Sequence, residues 1–487
     1  MRTLRSLHMA ALILVLVAQI VAPSASRADD STGDDPAFTD AIALLDIWIG
    51  EQLAYNGIPG VALAVVHDQE MVWSAAYGFR DLEKKDPLEP TTPFRIGSVS
   101  KIFTSTAIMQ LRDQGKLRLD EPVSTYLQWF SLQSDFPDEP PITVRNLLTH
   151  TAGLPREGAF PYWTTHDFPT REEFRAAVPE QSAVFPPYAT YKYSNLGMAL
   201  LGEIVVAVSG EDYPSYVQKH IFDPLGMDAS TVFPSEEKRA EMATPYMIKR
   251  PDGSRNIHTY YSTGAIAPAA EIVSTVEDMA KFATLHLHTS DATVLERVLK
   301  ASTVREMQRP HWVYSSWSGG RGLGFGISRR EGKTTVSHGG WIGGNRAHLL
   351  LVPSEKIAVL AMTNADDASP YTFSYEAYDL LGPVIARTSK KETPTATFDP
   401  AWERFVGVYS DPWGWKEEVM ILSGKLVMYS YSYPPDEDAD SGITPLTWVE
   451  GNRFRRPGGE FVVFEIAEDG TVERLKKRSE YLYPVER

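Results

Sequence analysis

The sequence contains no cysteine. This absence excludes disulfides, thiolate-bound zinc, iron–sulfur clusters and a cysteine nucleophile. The 11 histidines are scattered, and none belongs to the His-Glu-x-x-His pair that is typical of zinc hydrolases. Any chemistry must therefore use oxygen and nitrogen groups of the chain itself, and we expect neither a metal nor another cofactor.

Basic residues are too few to balance the acidic ones. Lys and Arg number 47 against 63 Asp and Glu, which gives a net charge of −16. A surface of that charge repels phosphate backbones and anionic lipid headgroups, so nucleic acid is not an expected partner. The chain is nevertheless long and apolar enough for a sizeable core, because 43% of its 487 residues are hydrophobic. A disordered tail or a small disulfide scaffold is excluded.

Long apolar runs are also missing, except at the N-terminus. Arg2 and Arg5 precede an apolar run over residues 9–22, which small residues and then Asp29 and Asp30 follow. This pattern is typical of an export signal, with cleavage expected after Ala28. The alternative is a retained membrane anchor, but the run is shorter than the roughly 20 residues of a spanning helix. We expect a signal peptide over residues 1–28, a periplasmic or secreted protein, and no membrane contact after cleavage.

The central region combines two hairpins with helical stretches. Residues 60–66 and 71–77 predict two strands joined by a polar turn, and residues 347–352 and 357–363 predict another pair. Between them lie helical patterns and Pro-rich loops, and residues 41–53 precede the first hairpin with helical spacing. The pattern predicts one α+β body whose antiparallel sheet is completed by distant segments.

The composition changes near the C-terminus. Residues 388–400 contain few apolar side chains and predict a linker. Short strand patterns follow at residues 406–409, 418–422, 425–431, 453–455, 461–464 and 472–475, separated by glycine turns. They predict a small antiparallel β-barrel or sandwich. The acidic stretch 436–440 is interpreted as a solvated loop.

One serine lies at the predicted start of a helix with a lysine one turn later. Residues 98–101 read Ser-Val-Ser-Lys, and the helical pattern covers residues 99–111. Ser98 and Lys101 therefore share a helix face, where the amine can act as base for the hydroxyl. A capping serine beside a surface lysine gives the same pattern, and residues 235–238 repeat it in a wholly polar run.

Two further elements add polar groups at the ends of regular structure. Tyr193 and Asn195 stand just before an apolar helical stretch at residues 198–208. They can place a phenol and an amide in a cleft, although a core tyrosine and a helix-capping asparagine would look the same. His338, Gly339 and Gly340 end a β-branched strand, and paired glycines allow close approach to its backbone. The three elements together, in this order, favour a catalytic site.

The chain at this point resembles the serine β-lactamase and penicillin-binding group, in its class C, DD-peptidase and family VIII esterase branch. The resemblance covers roughly residues 40 to 385. It includes further segments around the three elements, at residues 94–97, 115–117, 147–154 and 274–279. It implies an antiparallel sheet packed on a helical subdomain, with the active site between them.

The resemblance also implies roles for single residues. Ser98 would be the nucleophile, Lys101 its base or an electrostatic support, and Tyr193 the group that passes the proton to the leaving group. The backbone N–H groups of Ser98 and Trp341 would form the oxyanion hole. Substrate would be bound by Asn195, which would also orient Lys101, and by the stretch of His338, Gly339 and Gly340. Whether Lys101 or Tyr193 is the general base stays open, since either pKa must fall by about three units.

One departure bears on the substrate. Where many β-lactamases have Lys-Thr-Gly, this chain has His338, Gly339 and Gly340, which removes a permanent charge and a hydroxyl. His338 can still donate a hydrogen bond to an ester or amide. Arg346 lies near enough in sequence to replace the charge, although a surface arginine is the preferred interpretation. We therefore rank an ester or a D-amino acid peptide ahead of a β-lactam as the small-molecule substrate.

The remaining assignments concern domains and competing functions. Residues 29–387 would form the hydrolase domain, and residues 398–487 resemble the lipocalin-like C-terminal domain of some exported hydrolases. One alternative is a catalytically silent penicillin-binding-like protein that recognises cell-wall fragments or peptides. Another is a metal-dependent hydrolase, but the pair His286 and His288 would point away from each other on a helix. The oligomeric state does not follow from the sequence.

Overall fold

Most of the chain is described by a computed structural model, which covers residues 24–26, 35–288, 293–389, 399–432 and 442–486. Its α-helices are α1 (Pro36–Asn56), α2 (Ser100–Asp113), α3 (Val123–Tyr126), α4 (Val144–Thr149), α5 (Tyr162–Thr165), α6 (Arg171–Ala177), α7 (Asn195–Ser209), α8 (Tyr213–Val217), α9 (Asp223–Leu225), α10 (Glu236–Glu241), α11 (Ala267–Ala270), α12 (Val276–Leu287), α13 (Thr293–Val298), α14 (Ala301–Met307) and α15 (Pro370–Ser389). Shorter helical turns occupy Gly97–Val99, Val178–Glu180, Gln218–Phe222, Gly264–Ile266 and Pro400–Phe405. Within the described ranges, no helix combines the length and hydropathy needed to cross a bilayer.

The strands fall into two large sheets and one two-stranded pair. They are β1 (Ser24–Ser26), β2 (Gly60–His67), β3 (Glu70–Asp81), β4 (Asp86–Pro87), β5 (Phe94–Arg95), β6 (Val273–Ser274), β7 (Trp312–Val313), β8 (Gly319–Arg321), β9 (Gly326–Arg330), β10 (Lys333–Ile342), β11 (Asn345–Val352), β12 (Ile357–Thr363), β13 (Gly407–Ser410), β14 (Lys416–Leu422), β15 (Lys425–Ser430), β16 (Ile443–Pro445), β17 (Thr447–Glu450), β18 (Arg453–Arg455), β19 (Phe461–Ile466), β20 (Val472–Lys477) and β21 (Glu480–Val485). Every pairing between these strands is antiparallel.

The first large sheet, here called sheet A, has ten strands in the order β1-β3-β2-β12-β11-β10-β9-β8-β7, with β4 on β3. Both predicted hairpins are present, as β2 with β3 and as β11 with β12. Distant segments complete the sheet, because β2 pairs with β12 from Val61 opposite Thr363 to His67 opposite Ile357. The predicted α+β fold with a split antiparallel sheet is therefore confirmed.

Sheet A is buried on both faces at its centre. Along β2, the odd-numbered residues 61–65 pack with α1 and α15, whereas the even-numbered residues 62–66 pack towards α12 and the helical region around α2 and α7. Because successive strand residues point to opposite faces, a strand covered on both sides must be apolar throughout. This explains why β2 lacks the alternation of polar and apolar residues that a half-exposed strand shows.

The second large sheet contains β13 to β21 and curls into a nearly closed barrel. Its two edge strands, β16 and β17, are separated in sequence by Leu446 alone. The inner face holds an aromatic cluster that includes Phe405, Phe454 and Phe464. The outer face of β14 to β16 packs on the cluster around α1 and α15, partly through Tyr429.

The predicted C-terminal strands are present within a residue or two of their expected bounds, except that β16, β17 and β21 were not predicted. These three strands are short or largely exposed, so they carry a weak hydrophobic pattern. The acidic stretch 436–440 and most of the predicted linker at 388–400 lie outside the described residues. Helix α15 continues to Ser389. The domain boundaries stay a prediction.

The predicted signal peptide is described only at Ser24–Ser26, which pair with β3 at the edge of sheet A. The rest of residues 1–28 lies outside the described residues, so cleavage after Ala28 stays a prediction. The repeated serine–lysine pattern at residues 235–238 is the exposed start of α10, where the Ser235 side chain accepts a hydrogen bond from the Lys238 N–H. Its interpretation as a solvated helix start is confirmed.

Candidate active site

Ser98 lies in the helical turn Gly97–Val99, between strand β5 and helix α2. The sequence pattern predicted a helix from residue 99, and α2 begins one residue later, so Ser98 precedes the helix by one short turn. Gly97 has a φ of 52°, and a Cβ there would lie 2.7 Å from the backbone nitrogen of Trp341. The glycine is therefore needed both for the turn and for contact with β10.

Lys101 is buried completely in the first turn of α2. Its Nζ lies 3.0 Å from Ser98 Oγ and 2.7 Å from the carbonyl oxygen of Ala269. Burial lowers the pKa of Lys101 well below its usual value, because the charged ammonium loses its hydration. Glu157 opposes this shift in pKa, and Arg156 adds to it. The arrangement places an amine that is easily deprotonated beside the serine hydroxyl.

Tyr193 covers the same pair from the loop before α7. Its ring centroid lies 4.9 Å from Lys101 Nζ and 4.6 Å from the ring centroid of His150. Burial raises the pKa of Tyr193 above its usual value, and the nearby Ser98 side chain opposes that rise. The two pKa shifts therefore favour the neutral phenol of Tyr193 and the neutral amine of Lys101.

The two backbone nitrogens expected in the oxyanion hole lie on segments in close contact. A Cβ on Gly340 would lie 1.9 Å from the carbonyl oxygen of Ile96 and 3.1 Å from the nitrogen of Ser98. A Cβ on Gly97 would in turn lie within 3.0 Å of backbone atoms of Trp341. Two N–H groups held on facing backbone segments beside a serine can stabilise a developing oxyanion.

His338 is placed at the site but in a different chemical role from the expected one. Its Nδ1 lies 2.8 Å from the carbonyl oxygen of Gly339, so Nδ1 carries the proton and Nε2 is left as an acceptor. Burial, assisted by the charges of Lys101 and Arg321, lowers the pKa of His338 to about 3. The ring is therefore neutral, and the predicted donation of a hydrogen bond to substrate is not available from Nε2 in this tautomer.

The described side-chain hydrogen bond of Asn195 goes to a residue other than Lys101. Its amide donates to Glu157 Oε1 at 2.7 Å, and the described hydrogen bonds of Lys101 go to Ser98 and Ala269 instead. Asn195 is buried and does not border the cleft, and the cap of α7 is the hydroxyl of Ser194. The Oδ1 of Asn195 is buried without a described partner, and the expected roles of Asn195 in binding substrate and orienting Lys101 stay predictions.

The cleft in front of Ser98 has a volume of about 550 Å³. Its charged residues are Arg156, Arg321 and Arg346, and no Asp or Glu among the described residues borders it. Arg156 pairs with Glu157. The other two guanidinium groups contact neutral oxygens, the Tyr191 hydroxyl for Arg321 and the Asp366 carbonyl for Arg346, and each has a buried Nε without a described partner.

Several of these residues could not be recognised from the sequence. Arg321, Arg156 and Glu157 stand alone in loops or short strands, and no spacing relates them to Ser98. Arg346 was noted because it follows the glycines, although a surface position was the preferred interpretation. The C-terminal barrel contributes no residue to the cleft within the described ranges.

The beta-lactamase family model matches residues 45–383. Beta-lactamase-like protein 2 of Dictyostelium discoideum is 28% identical over 358 residues, which is 72% of this chain and 64% of that protein. The match therefore spans less than two thirds of that relative. Penicillin-binding protein 4 of Amycolatopsis lactamdurans is 28% identical over 330 residues, 67% of this chain and 85% of that protein.

A solved structure extends the similarity beyond the catalytic region. The octameric penicillin-binding protein homologue from Pyrococcus abyssi is 25% identical, with a TM-score of 0.62, over 91% of this chain and 99% of that chain. Coverage of that extent reaches into the C-terminal barrel. The chain belongs to the beta-lactamase family, whose members are serine hydrolases with penicillin-binding proteins among them.

Proposed function

We propose that the protein is an exported serine hydrolase that forms an acyl-enzyme on Ser98 and cleaves esters or D-amino acid peptides. The observation that carries this proposal is the buried Lys101, whose Nζ lies 3.0 Å from Ser98 Oγ. A buried lysine is costly to the fold. This unfavourable free energy of burial is explained if the Lys101 amine has to accept a proton from the nucleophile.

The chemistry follows from the positions of three side chains. Lys101 takes the hydroxyl proton as Ser98 Oγ forms a bond to the substrate carbonyl carbon, and the N–H groups of Ser98 and Trp341 stabilise the negative oxygen. Tyr193 then donates its proton to the leaving oxygen or nitrogen as that bond breaks, and the proton held by Lys101 restores the phenol. Water attacks the acyl-enzyme by the reverse of this path and releases the acid.

The arginines of the cleft favour a substrate with a carboxylate. Arg321 and Arg346 form no ion pair with a described side chain, and a guanidinium binds a carboxylate through two parallel hydrogen bonds. The carboxylate of a peptide C-terminus would fit these arginines. Because His338 is neutral, this cationic role falls to the arginines rather than to the position where other β-lactamases have lysine.

The proposal is tested by labelling the mature protein with a fluorophosphonate and measuring its intact mass. We expect a single adduct on the wild type and none on Ser98→Ala. A panel of activated esters, D-amino acid peptides and a chromogenic cephalosporin then ranks the substrates. If the folded wild type gives no adduct and no turnover, the hydrolase proposal fails and the silent binding protein becomes the better explanation.

The pH dependence of hydrolysis should reflect Lys101. The pKa of Lys101 is lowered, so the amine becomes neutral and active as pH rises through a value below its usual 10.5. We expect kcat/KM for a neutral activated ester to rise and then level off below pH 10. We expect no decrease of kcat/KM at high pH, because the raised pKa of Tyr193 keeps its phenol protonated. A rate that still increases at pH 10.5 would contradict a role for Lys101 as the base.

Removal of a cleft arginine should affect charged substrates selectively. We expect Arg321→Ala to raise KM about 10- to 100-fold for substrates with a carboxylate near the scissile bond, since a charge-assisted hydrogen bond contributes roughly 1.5–3 kcal/mol. A neutral ester should be nearly unaffected. The matched control is Arg329→Ala, an exposed arginine within strand β9 that does not border the cleft. Equal losses for charged and neutral substrates would exclude carboxylate recognition by Arg321.

The export part of the proposal rests on the N-terminal sequence alone, with Arg2 and Arg5 before the apolar run at residues 9–22. N-terminal sequencing of protein recovered from a bacterial periplasm or medium tests it. We expect a mature start at Asp29. A full-length protein retained in the cell would contradict the assignment.

A further inference from the structure

The C-terminal barrel has an open end that forms a second cavity, separate from the cleft at Ser98. This cavity has a volume of about 630 Å³, within the range of small-molecule sites. Its floor includes Met428 and Leu482, which belong to the core of the barrel. Its wall and rim are formed mainly by polar, charged and tryptophan side chains. The mechanism proposed for Ser98 uses none of these residues.

Two tryptophans stand at the rim, in the turn between β13 and β14. Trp413 is 87% exposed and Trp415 is 62% exposed. The turn is well defined, because one carboxylate oxygen of Asp411 accepts the backbone N–H groups of both tryptophans, each at 2.9 Å. Large apolar rings held in an ordered turn provide contact area to a ligand at little cost in conformational entropy.

The wall of the cavity contains a carboxylate with unused hydrogen-bonding capacity. Glu417 is only 7% exposed, and its Oε1 is paired with Lys477. Its Oε2 is buried and has no described partner. A buried polar atom without a hydrogen bond costs roughly 1–3 kcal/mol, so such atoms are uncommon unless a ligand or water completes them.

The guanidinium of Arg456, on the neighbouring wall, also has a buried polar atom without a described hydrogen-bond partner. Arg456 donates from Nη2 to Thr444 Oγ1 at 3.3 Å, but its Nε is buried without a described partner. The cavity thus has an unused acceptor on Glu417 and an unused donor on Arg456. A ligand that satisfies both must itself donate and accept hydrogen bonds.

The charges that border the cavity cancel. Three acidic and three basic side chains border it, namely Asp411, Glu417, Glu480, Arg456, Lys477 and Arg478. An anionic or cationic ligand would meet like charges as often as opposite ones. A purely apolar ligand would leave the buried carboxylate and guanidinium groups unsatisfied. The site therefore favours a neutral ligand with many hydroxyl groups and an apolar face.

We propose that the open end of the C-terminal barrel binds a neutral saccharide. Sugar hydroxyls donate to Glu417 and accept from Arg456, and the C–H face of a pyranose ring lies against Trp413 or Trp415. The protein then holds a glycan on one domain while Ser98 acts from the other. This inference does not depend on the catalytic role of Ser98.

The test measures the binding of the full-length mature protein to four neutral oligosaccharides by isothermal titration calorimetry. The probes are cellohexaose, chitohexaose, maltohexaose and xylohexaose. We expect at least one to bind with a Kd below about 1 mM. The double variant Trp413→Ala/Trp415→Ala should weaken that binding at least 10-fold. The matched control is Trp448→Ala, because Trp448 is also exposed, at 52%, but lies on β17 outside the cavity.

Further variants and readouts keep the test decisive. Trp415→Phe preserves a stacking surface and should bind more tightly than Trp415→Ala. Labelling of Ser98 by fluorophosphonate should be equal in all variants, which shows that the fold and the first site are intact. The proposal is overturned if the wild type binds none of the four probes, or if the double variant binds as well as Trp448→Ala. It is also overturned if replacing the tryptophans changes the oligomeric mass measured by light scattering but not the binding of sugar. The rim would then be a contact between copies of the chain.

Discussion

The Lys101→Met variant should lose hydrolysis and gain stability at the same time. Lys101 is completely buried, and its pKa is lowered because the ammonium is poorly hydrated there. Methionine has a similar shape without the charge. We expect kcat/KM to fall about 10²- to 10⁴-fold, the usual contribution of a general base, while the free energy of unfolding rises by about 0.5–2 kcal/mol.

The gain in stability should depend on pH. The folded protein holds Lys101 with a lowered pKa, so near neutral pH the unfolded chain binds the proton more tightly and burial of the lysine is unfavourable. That penalty shrinks as pH rises and disappears above the unfolded pKa, about 10.4. Urea unfolding at pH 7 and pH 10 should therefore show a larger advantage of methionine at pH 7. Lys116→Met, at an exposed position just after α2, is the control and should show no such dependence. A variant less stable than wild type at pH 7 would refute the argument.

The Gly340→Ala variant should be almost inactive, although the substitution adds only one methyl group. A Cβ at this position would lie 1.9 Å from the Ile96 carbonyl oxygen, which belongs to the backbone and cannot rotate away. The strand must then move from the Ser98 turn, and the two N–H groups proposed for the oxyanion would separate. We expect kcat/KM to fall about 10²- to 10³-fold, the usual effect of losing an oxyanion donor.

Two other glycines provide comparisons for this result. A Cβ on Gly339 would collide with the hydroxyl of Tyr371, a side chain that can turn, so Gly339→Ala should be milder than Gly340→Ala. Gly50 lies in α1 with no atom within 4 Å of a Cβ, so Gly50→Ala should leave activity unchanged. Kinetics and thermal unfolding of the three variants distinguish loss of the site from loss of the fold. Equal activity of Gly339→Ala and Gly340→Ala would contradict the steric argument.

The sequence allowed the fold to be predicted where periodicity was strong. The hairpins β2–β3 and β11–β12 have apolar runs of strand length with polar turns, and helix α2 has a clear 3.6-residue pattern. The serine, lysine and tyrosine were predicted together because three motifs occur in the order of a known family. The fold brings the three side chains together, with Lys101 within hydrogen-bonding distance of Ser98, and their catalytic roles stay a prediction.

The parts that were not predicted depend on contacts between distant residues. The tautomer of His338 is decided by one carbonyl oxygen, and the partner of Asn195 is a glutamate in a loop. Arg321 reaches the cleft only because β8 lies next to β9 in sheet A. No periodicity within a segment encodes such relations, so they become visible only in the folded chain.

The pairing of β2 with β12 has a consequence for the biosynthesis of the protein. Val61 is synthesised early. Its strand partner Thr363 is added only when about three quarters of the chain has been made. Pairings so distant in sequence form slowly, because a long loop must close before they contribute energy. The segment that carries Ser98 must therefore wait for the last strands of the sheet. A ribosome-bound fragment that ends before β12 is expected to be inert and to need protection from aggregation until synthesis is nearly complete.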